Sequence, residues 1–436
     1  MAAYTEMKNS GIDWIGVVPS HWSTHTLYQL VSQVKNKNKD LREKNLLSLS
    51  YGKIIRKDID TTVGLLPESF EGYNIVEDGD VVLRLTDLQN DHTSLRVGLA
   101  TECGIITSAY TTLHPSDSCV SKYLYYLLHT FDIRKGFYGM GSGVRQGLNY
   151  DEVKELRVIL PSLKEQEAIA AYLDEQCILI DATIAEAKCS IEDYRAWRAS
   201  IIFEAVTKGL DNDAKLIESG IDGLGKIHAS SRIIKLRHLI ENIESGVSVN
   251  AGQDAARGDE IGVLKTSCVS KNKFIAEENK NVNREEYSRV ACPVKGNSLI
   301  VSRMNTPELV GACGYVDKDY PNLFLPDRLW QITCLPTCNT KYVWYFLSSK
   351  YTRNYYASLA TGTSSSMQNI SQAQFGNLRV ALPNIEEQER IAKYLDAICE
   401  QIDAITENTQ ALIANLESYK RSLIFEVVTG KRKVVQ

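Results

Sequence analysis

The stretch LPSLKEQEAIAAYLDE at residues 160–175 returns as LPNIEEQERIAKYLDA at residues 382–397. The match runs on without a gap to residues 207 and 429, with about 21 identical positions. A repeat of that length constrains the fold more than any other feature, because both copies must form the same element. Each copy opens like a helix: Ser162 or Asn384 can cap the first turn, and Glu165 or Glu387 three residues on can reach back to complete a capping box. No Gly or Pro follows until Gly209 in one copy and Gly430 in the other, both placed as helix stops. Each helix is therefore expected to run about 45 residues, or roughly 65 Å at 1.5 Å per residue.

In the second copy Ile391, Leu395, Ile398, Ile402, Ile405, Thr409, Leu412, Leu416, Tyr419 and Leu423 follow a heptad-like spacing. The first copy keeps a rougher seam through Ile169, Leu173, Ile180, Ile184, Ala187, Ile191 and Tyr194. These stripes predict that the two helices pack against each other.

The repetition reaches upstream of the helices. SGIDWIG at 10–16 recurs as SGIDGLG at 219–225, and SKYLYYLLHT at 121–130 recurs as TKYVWYFLSS at 340–349. Short β-type runs such as LLSLS, DVVLRL, SLIVS and RLWQIT fill the intervening sequence. The chain thus reads as two tandem copies of one α/β module carrying a long helix, an α+β architecture. Its expected parts are a first globular domain over 1–160, a central helix over 161–209, a second domain over 210–382 and a C-terminal helix over 383–436.

At 436 residues the chain is too long for one core. No apolar run approaches the roughly 18 to 20 residues a membrane span needs, and the opening MAAYTEMKNSGIDW has no secretory pattern. A cytoplasmic location is expected, in which the ten scattered cysteines stay reduced. The close pair Cys334 and Cys338 has no second pair or nearby histidine to complete a zinc site.

The net charge of -5 hides an uneven distribution. Residues 162–207 and 384–429 each hold nine acidic and four basic side chains, so the remainder of the chain is net basic. Residues 31–62 carry eight Lys or Arg against four acids, with Lys53, Arg56 and Lys57 expected in a loop between strands, and residues 265–303 repeat that ratio. Tyr51, Tyr110, Tyr138 and Tyr150 are interleaved. Such patches suit phosphate contacts, with Arg, Gln and Asn reaching base edges. Before each long helix lies a loop of small residues, GMGSGVRQGLN at 139–149 and TGTSSSMQNIS at 361–371, with Gln146 and Gln368 at one repeat position. The candidate DNA contacts are Lys53, Arg56, Lys57, Arg84, Arg145 and Gln146 in the first module, and Lys271, Lys273, Arg303, Arg328 and Gln368 in the second. A strand-end salt bridge is an equal reading for Arg84 and Arg328.

Motifs for catalysis are lacking. GIDGLGKI at 220–227 nearly spells a phosphate-binding loop, but Ile227 replaces the Ser or Thr that would hold magnesium, and no convincing strand precedes it. No Pro-Pro exists to complete an adenine methyltransferase motif, and the histidines are not spaced as ligands. Asp151-Glu152-Val153-Lys154 resembles the end of a nuclease motif but reads better as a short helix after Asn149. A chain that is not itself an enzyme is expected.

SGIDWIG with Pro19 and His21-Trp22, the helix start LP-x-L-x-EQ-x-x-IA-x-YLD, and the helix ends IIFEAVTKG and LIFEVVTGK together resemble the specificity subunits of type I restriction-modification systems (HsdS family). The resemblance covers nearly the whole chain; the second module lacks equivalents of Trp14, Pro19 and Trp22. It implies two target recognition domains, spaced by antiparallel coiled-coil helices and related by a pseudo-two-fold axis, each reading half of a bipartite DNA site. It also implies partners: two modification subunits that methylate adenine with S-adenosylmethionine, and two restriction subunits driven by ATP with Mg2+. No cofactor is expected in this chain. Tyr172, Trp197, Phe203, Tyr394, Tyr419 and Phe425 are candidate docking residues for those subunits. A scaffold whose coil joins two protein-binding domains is the competing reading.

Overall fold

A computed structural model describes residues 4–434 apart from 61–66, 68, 92, 141–146, 212, 360, 365 and 366. It divides into two compact units, one formed by Met1–Lys188 with Gln410–Gln436 and the other by Cys189–Thr409. The central helix, Leu163–Lys208, and the C-terminal helix, Ile385–Val428, match the expected length. Among the described residues no helix is long and apolar enough to cross a membrane.

Both units are built on one topology. In the first, a four-stranded sheet has the order Val31–Gln33, Thr111–Pro115, Val81–Leu83, Val97–Leu99. In the second, Ile240–Ser245, Leu329–Cys334, Ser298–Ser302 and Cys313–Val316 take the same places. Each unit adds a second four-stranded sheet with one parallel pairing: Gly104–Ile106 beside Leu46–Ser50, and Tyr320–Phe324 beside Gly262–Leu264. The Val81, Leu83, Leu299 and Val301 side chains are completely buried, which is why these short strands are apolar without interruption.

The SGID motifs are hairpin loops. Ser10 N–H donates to the Gly16 carbonyl at 3.0 Å and Ser219 N–H to Gly225 at 3.0 Å, while Gly11, Gly16, Gly220 and Gly225 all take φ between 67° and 75°. A short strand, Leu216–Glu218, does precede GIDGLGKI, but the strand Lys226–His228 follows it, so no helix N-terminus exists there to receive a phosphate.

The repeated helix motif is explained residue by residue. Ser162 and Glu165 form the expected capping box, with Ser162 N–H to Glu165 at 3.3 Å and Glu165 N–H to Ser162 Oγ at 3.4 Å. Asn384 caps Glu387 N–H at 2.9 Å, but the Glu387 carboxylate pairs with Arg390 at 2.8 Å rather than reaching back to close the expected box. The next residue, Gln166, is wholly buried: its amide donates to the Pro161 and Ser118 carbonyls and accepts from Val120 N–H at 2.8 Å. Gln388 repeats this with Pro383 and with Asn339 N–H at 2.9 Å. Asp174 takes Lys122 and the Tyr126 hydroxyl at 2.7 Å, and Asp396 takes Lys341 and the Tyr345 hydroxyl at 2.8 Å. Within each unit the Glu-Gln and Tyr-Leu-Asp segments therefore dock a long helix onto its module.

Both units contain a stretch of each long helix, and in both the stretches run antiparallel. Lys420 Nζ reaches Asp181 at 2.6 Å in the first unit and Arg198 reaches Asp403 at 3.5 Å in the second. These pairs are repeat-equivalent and share one register. The first seam is as read: Ile169, Leu173, Ile180, Ile184, Ala187 and Ile191 are buried, joined by Cys177, while Tyr194 is half-buried. The second needs correction. Ile405, Leu412 and Tyr419 are 40%, 48% and 47% exposed, whereas Thr406, Ile413 and Lys420, one position on, are half-buried. One residue turns the helix by about 100°, and the carboxylate of Asp181 draws in Lys420 rather than Tyr419.

Candidate nucleic-acid interface

In the first unit Lys53, Arg56 and Lys57 lie in a strand, Lys53–Lys57, and not in the loop expected from composition. The strand is a sheet edge joined to Leu46–Ser50 by a two-residue turn, Tyr51 and Gly52, both at positive φ. Alternation puts Lys53, Ile55 and Lys57 on one face and Arg56 on the other. Tyr51 at the tip is 78% exposed. Arg56 donates from Nε to both Glu102 oxygens at 2.7 Å, and this pairing lowers the Glu102 pKa. The cationic edge thus consists of Lys53 and Lys57 with aromatic Tyr51 beside them.

A second element of this unit is the loop after Val81–Leu83. Arg84 pairs with Asp91 at 3.6 Å, the salt bridge anticipated at a strand end. Hydrogen bonds from Ser94 hold the Asp91 carboxyl well below its usual range. Arg96, a residue not singled out from sequence, is wholly buried and shapes the loop: its guanidinium donates to the carbonyls of Arg84, Thr86, Asp87 and Asp91 and to the Tyr138 hydroxyl. Five neutral acceptors around one buried cation fix the path of residues 84–91. Leu148 N–H donates to the Leu85 carbonyl at 2.8 Å, which ties the chain entering the helix motif to this loop. Arg145 and Gln146 lie outside the described residues.

In the second unit the equivalent tie is Ile370 N–H to the Arg303 carbonyl at 3.1 Å. Arg303 N–H also donates to the Arg328 carbonyl at 3.1 Å, and Gln368 lies on the strand Met367–Asn369 that pairs with Met304–Asn305. Three of the candidates read from sequence, Arg303, Arg328 and Gln368, are therefore brought together. Arg328 is exposed and, among the described residues, has no ion pair. The Arg303 guanidinium lies 6.0 Å over the Trp330 ring, and its Nε is buried without a protein partner. Asn305 and Asn369 complete this polar group; the signal for them was the Asn content of VSRMNT and SSSMQNIS. The two lysines are elsewhere. Lys271 is exposed, and Lys273 pairs with Asp403 on the C-terminal helix.

Of the docking candidates, Trp197 is 48%, Tyr394 43% and Tyr419 47% exposed. Tyr172 and Phe203 are half-buried, and the half-buried Phe425 ring has Arg134 at 4.6 Å and Lys431 at 4.5 Å. Asp151 and Glu152 belong to the short helix Tyr150–Val153 capped by Asn149, as read from sequence.

Comparison with known proteins adds a match to a family model. Residues 256–415 match the model of the type I restriction modification DNA specificity domain. The EcoKI specificity subunit of Escherichia coli K12 is 24% identical over 301 residues, a region covering 66% of this chain and 62% of that protein. The chain thus matches less than two thirds of that relative's length. A solved structure described as showing complex assembly and conformational transition of the type I R-M system superposes with a TM-score of 0.69 at 14% identity, covering 94% of this chain and 98% of that one. The HsdS subunit of Thermoanaerobacter tengcongensis gives 0.52 at 13% identity, over 95% and 98%. The resemblance to type I specificity subunits read from the helix motifs is borne out by these matches, and so is the mixed α and β architecture.

Proposed function

We propose that this chain is the specificity subunit of a type I restriction-modification complex, a DNA-reading subunit whose two modules each recognise one half of a bipartite target. The observation that carries this reading is the duplication: one sheet order and one set of helix-docking contacts occur twice, while the side chains at the strand ends differ between copies. Lys53, Lys57 and Tyr51 supply phosphate and stacking contacts in the first module. Arg303, Arg328 and Gln368, with Asn305, supply the donors and acceptors for base edges in the second. The paired helices set the unspecified gap, with half-sites about one helical turn apart so that both modules meet one face of the duplex.

Methylation with S-adenosylmethionine and ATP-driven restriction, with its Mg2+, are assigned to two modification and two restriction subunits docked on the helices. The exposed Trp197, Ile405, Leu412 and Tyr419 supply apolar area for that docking. Selection from random duplexes by the chain co-purified with its modification subunits should return two short motifs at a fixed separation. Recovery of one continuous motif, or of no preference, would contradict the reading and favour a protein-binding scaffold.

A further inference from the structure

A cavity of about 190 Å³ opens between the helix Ser121–Ile133 and the stretch of the C-terminal helix that belongs to the first unit. Its lining is unusual for a helix contact: Arg134 and Arg421 bring two guanidiniums, Ser418 and Ser422 two hydroxyls, and Phe425 an aromatic wall. Among the described residues neither arginine is in an ion pair. Thr130 also lines the cavity and is 3% exposed, yet its hydroxyl has no protein partner. A buried hydroxyl without a hydrogen bond costs stability and calls for a reason.

The second copy of the repeat serves as an internal control. At the shift of 222 residues Phe425 and Ser422 correspond to Phe203 and Ser200, so the packing frame is kept. Ser418 and Arg421, by contrast, correspond to Ala196 and Ala199. The counterpart of Arg134 is Arg353, whose guanidinium donates to the Glu308 carbonyl. Arg134 follows the last turn of its helix, where a cation offsets the terminal carbonyls, and it lies over the Phe425 ring. That accounts for Arg134. Arg421 and Ser418 are exposed, and Arg421 together with Arg134 gives this copy alone two guanidiniums at one cavity.

We propose that this cavity is an oxyanion site for a single phosphate group, held by the guanidiniums of Arg134 and Arg421 with the hydroxyls of Ser418 and Ser422. Guanidinium forks and hydroxyl donors match the tetrahedral oxygens of phosphate. The volume is ample for one such group. The phosphate has two possible sources, free inorganic phosphate and the DNA backbone, and only the second rests on the DNA-reading function.

The test is calorimetric titration of inorganic phosphate into the full-length chain and into Arg421→Ala and Arg421→Gln variants of matched thermal midpoint. Binding at millimolar phosphate or below is expected, weakened about tenfold or more in both variants, as loss of a charge-assisted contact requires. The salt dependence of duplex binding then separates the sources. A DNA phosphate in the cavity predicts that the slope of log affinity against log salt falls by about 0.9 in the variants; free phosphate predicts an unchanged slope. Either pattern supports the site, and phosphate binding without any DNA binding would count against the DNA-reading function alone. Absence of phosphate binding, or equal binding by chain and variants, overturns the proposal.

Discussion

Arg303 combines two properties that rarely coincide: a main chain held by Arg328 and Ile370, and a side-chain Nε that is buried yet without a protein acceptor. The Arg303 side chain as a whole is only half-buried, so if its guanidinium reads a base, Arg303→Ala is expected to cost about 1–3 kcal/mol of discrimination in one half-site and to leave the other half-site unchanged. Binding measured against single-base variants of the target checks this; equal losses at both halves would exclude a reading role. His129 gives a stability counterpart. Burial, with the Lys420 charge as a lesser cause, pushes its pKa down from 6.5 to about 4. A base with a depressed folded pKa stays neutral in the fold while the unfolded chain takes up a proton, so its contribution is complete above pH 6.5 and declines as pH falls toward 4. Asp132 on the same helix, raised to about 6 by burial, acts in the opposite sense. The difference between the chain and a His129→Gln variant isolates the histidine: relative to neutral pH, the chain should lose about 3 kcal/mol more than the variant by pH 4. Parallel pH profiles in urea unfolding would contradict that.

At the scale of elements, the two long helices were legible from the repeat because their caps, stops and apolar spacing all agree. Their pairing face was half legible. A 3.5-residue spacing runs through Ile405, Leu412 and Tyr419 as well as through Thr406, Ile413 and Lys420, and only the position of Asp181 on the other helix decides between them. The hairpin carrying Lys53 and Lys57 was missed for a related reason. All residues of this edge strand except Ile54 are exposed, so its composition is that of a loop. Arg96 was unreadable because an isolated arginine gives no hint that five carbonyl and hydroxyl acceptors will surround it. The coil also carries a prediction. Inserting one heptad into each helix at facing positions preserves the seam and lengthens the arm by about 10 Å, close to three base-pair steps of about 3.4 Å. The gap in the target should widen by about three base pairs with both half-sites unchanged. A gap that stays constant would show that the coil does not set it.

For the molecule as a whole, the net charge of -5 is compatible with the proposed DNA-reading role because acid is concentrated on the two long helices and the remainder of the chain is net basic. Tandem organisation was visible from SGIDWIG, SKYLYY and the helix motifs, since the first forms the same glycine-dependent hairpin loop in each copy and the others dock helix to module. The grouping of Arg303, Arg328 and Gln368 was not, because it depends on short strands whose pairing partners are distant in sequence. The central claim is that this one chain selects a two-part DNA target for modification. Its most direct test is the adenine methylation pattern across the genome of the source organism, with the gene intact and with it deleted. The account predicts that deletion removes methylation at a single bipartite motif of fixed gap; an unchanged pattern would contradict it.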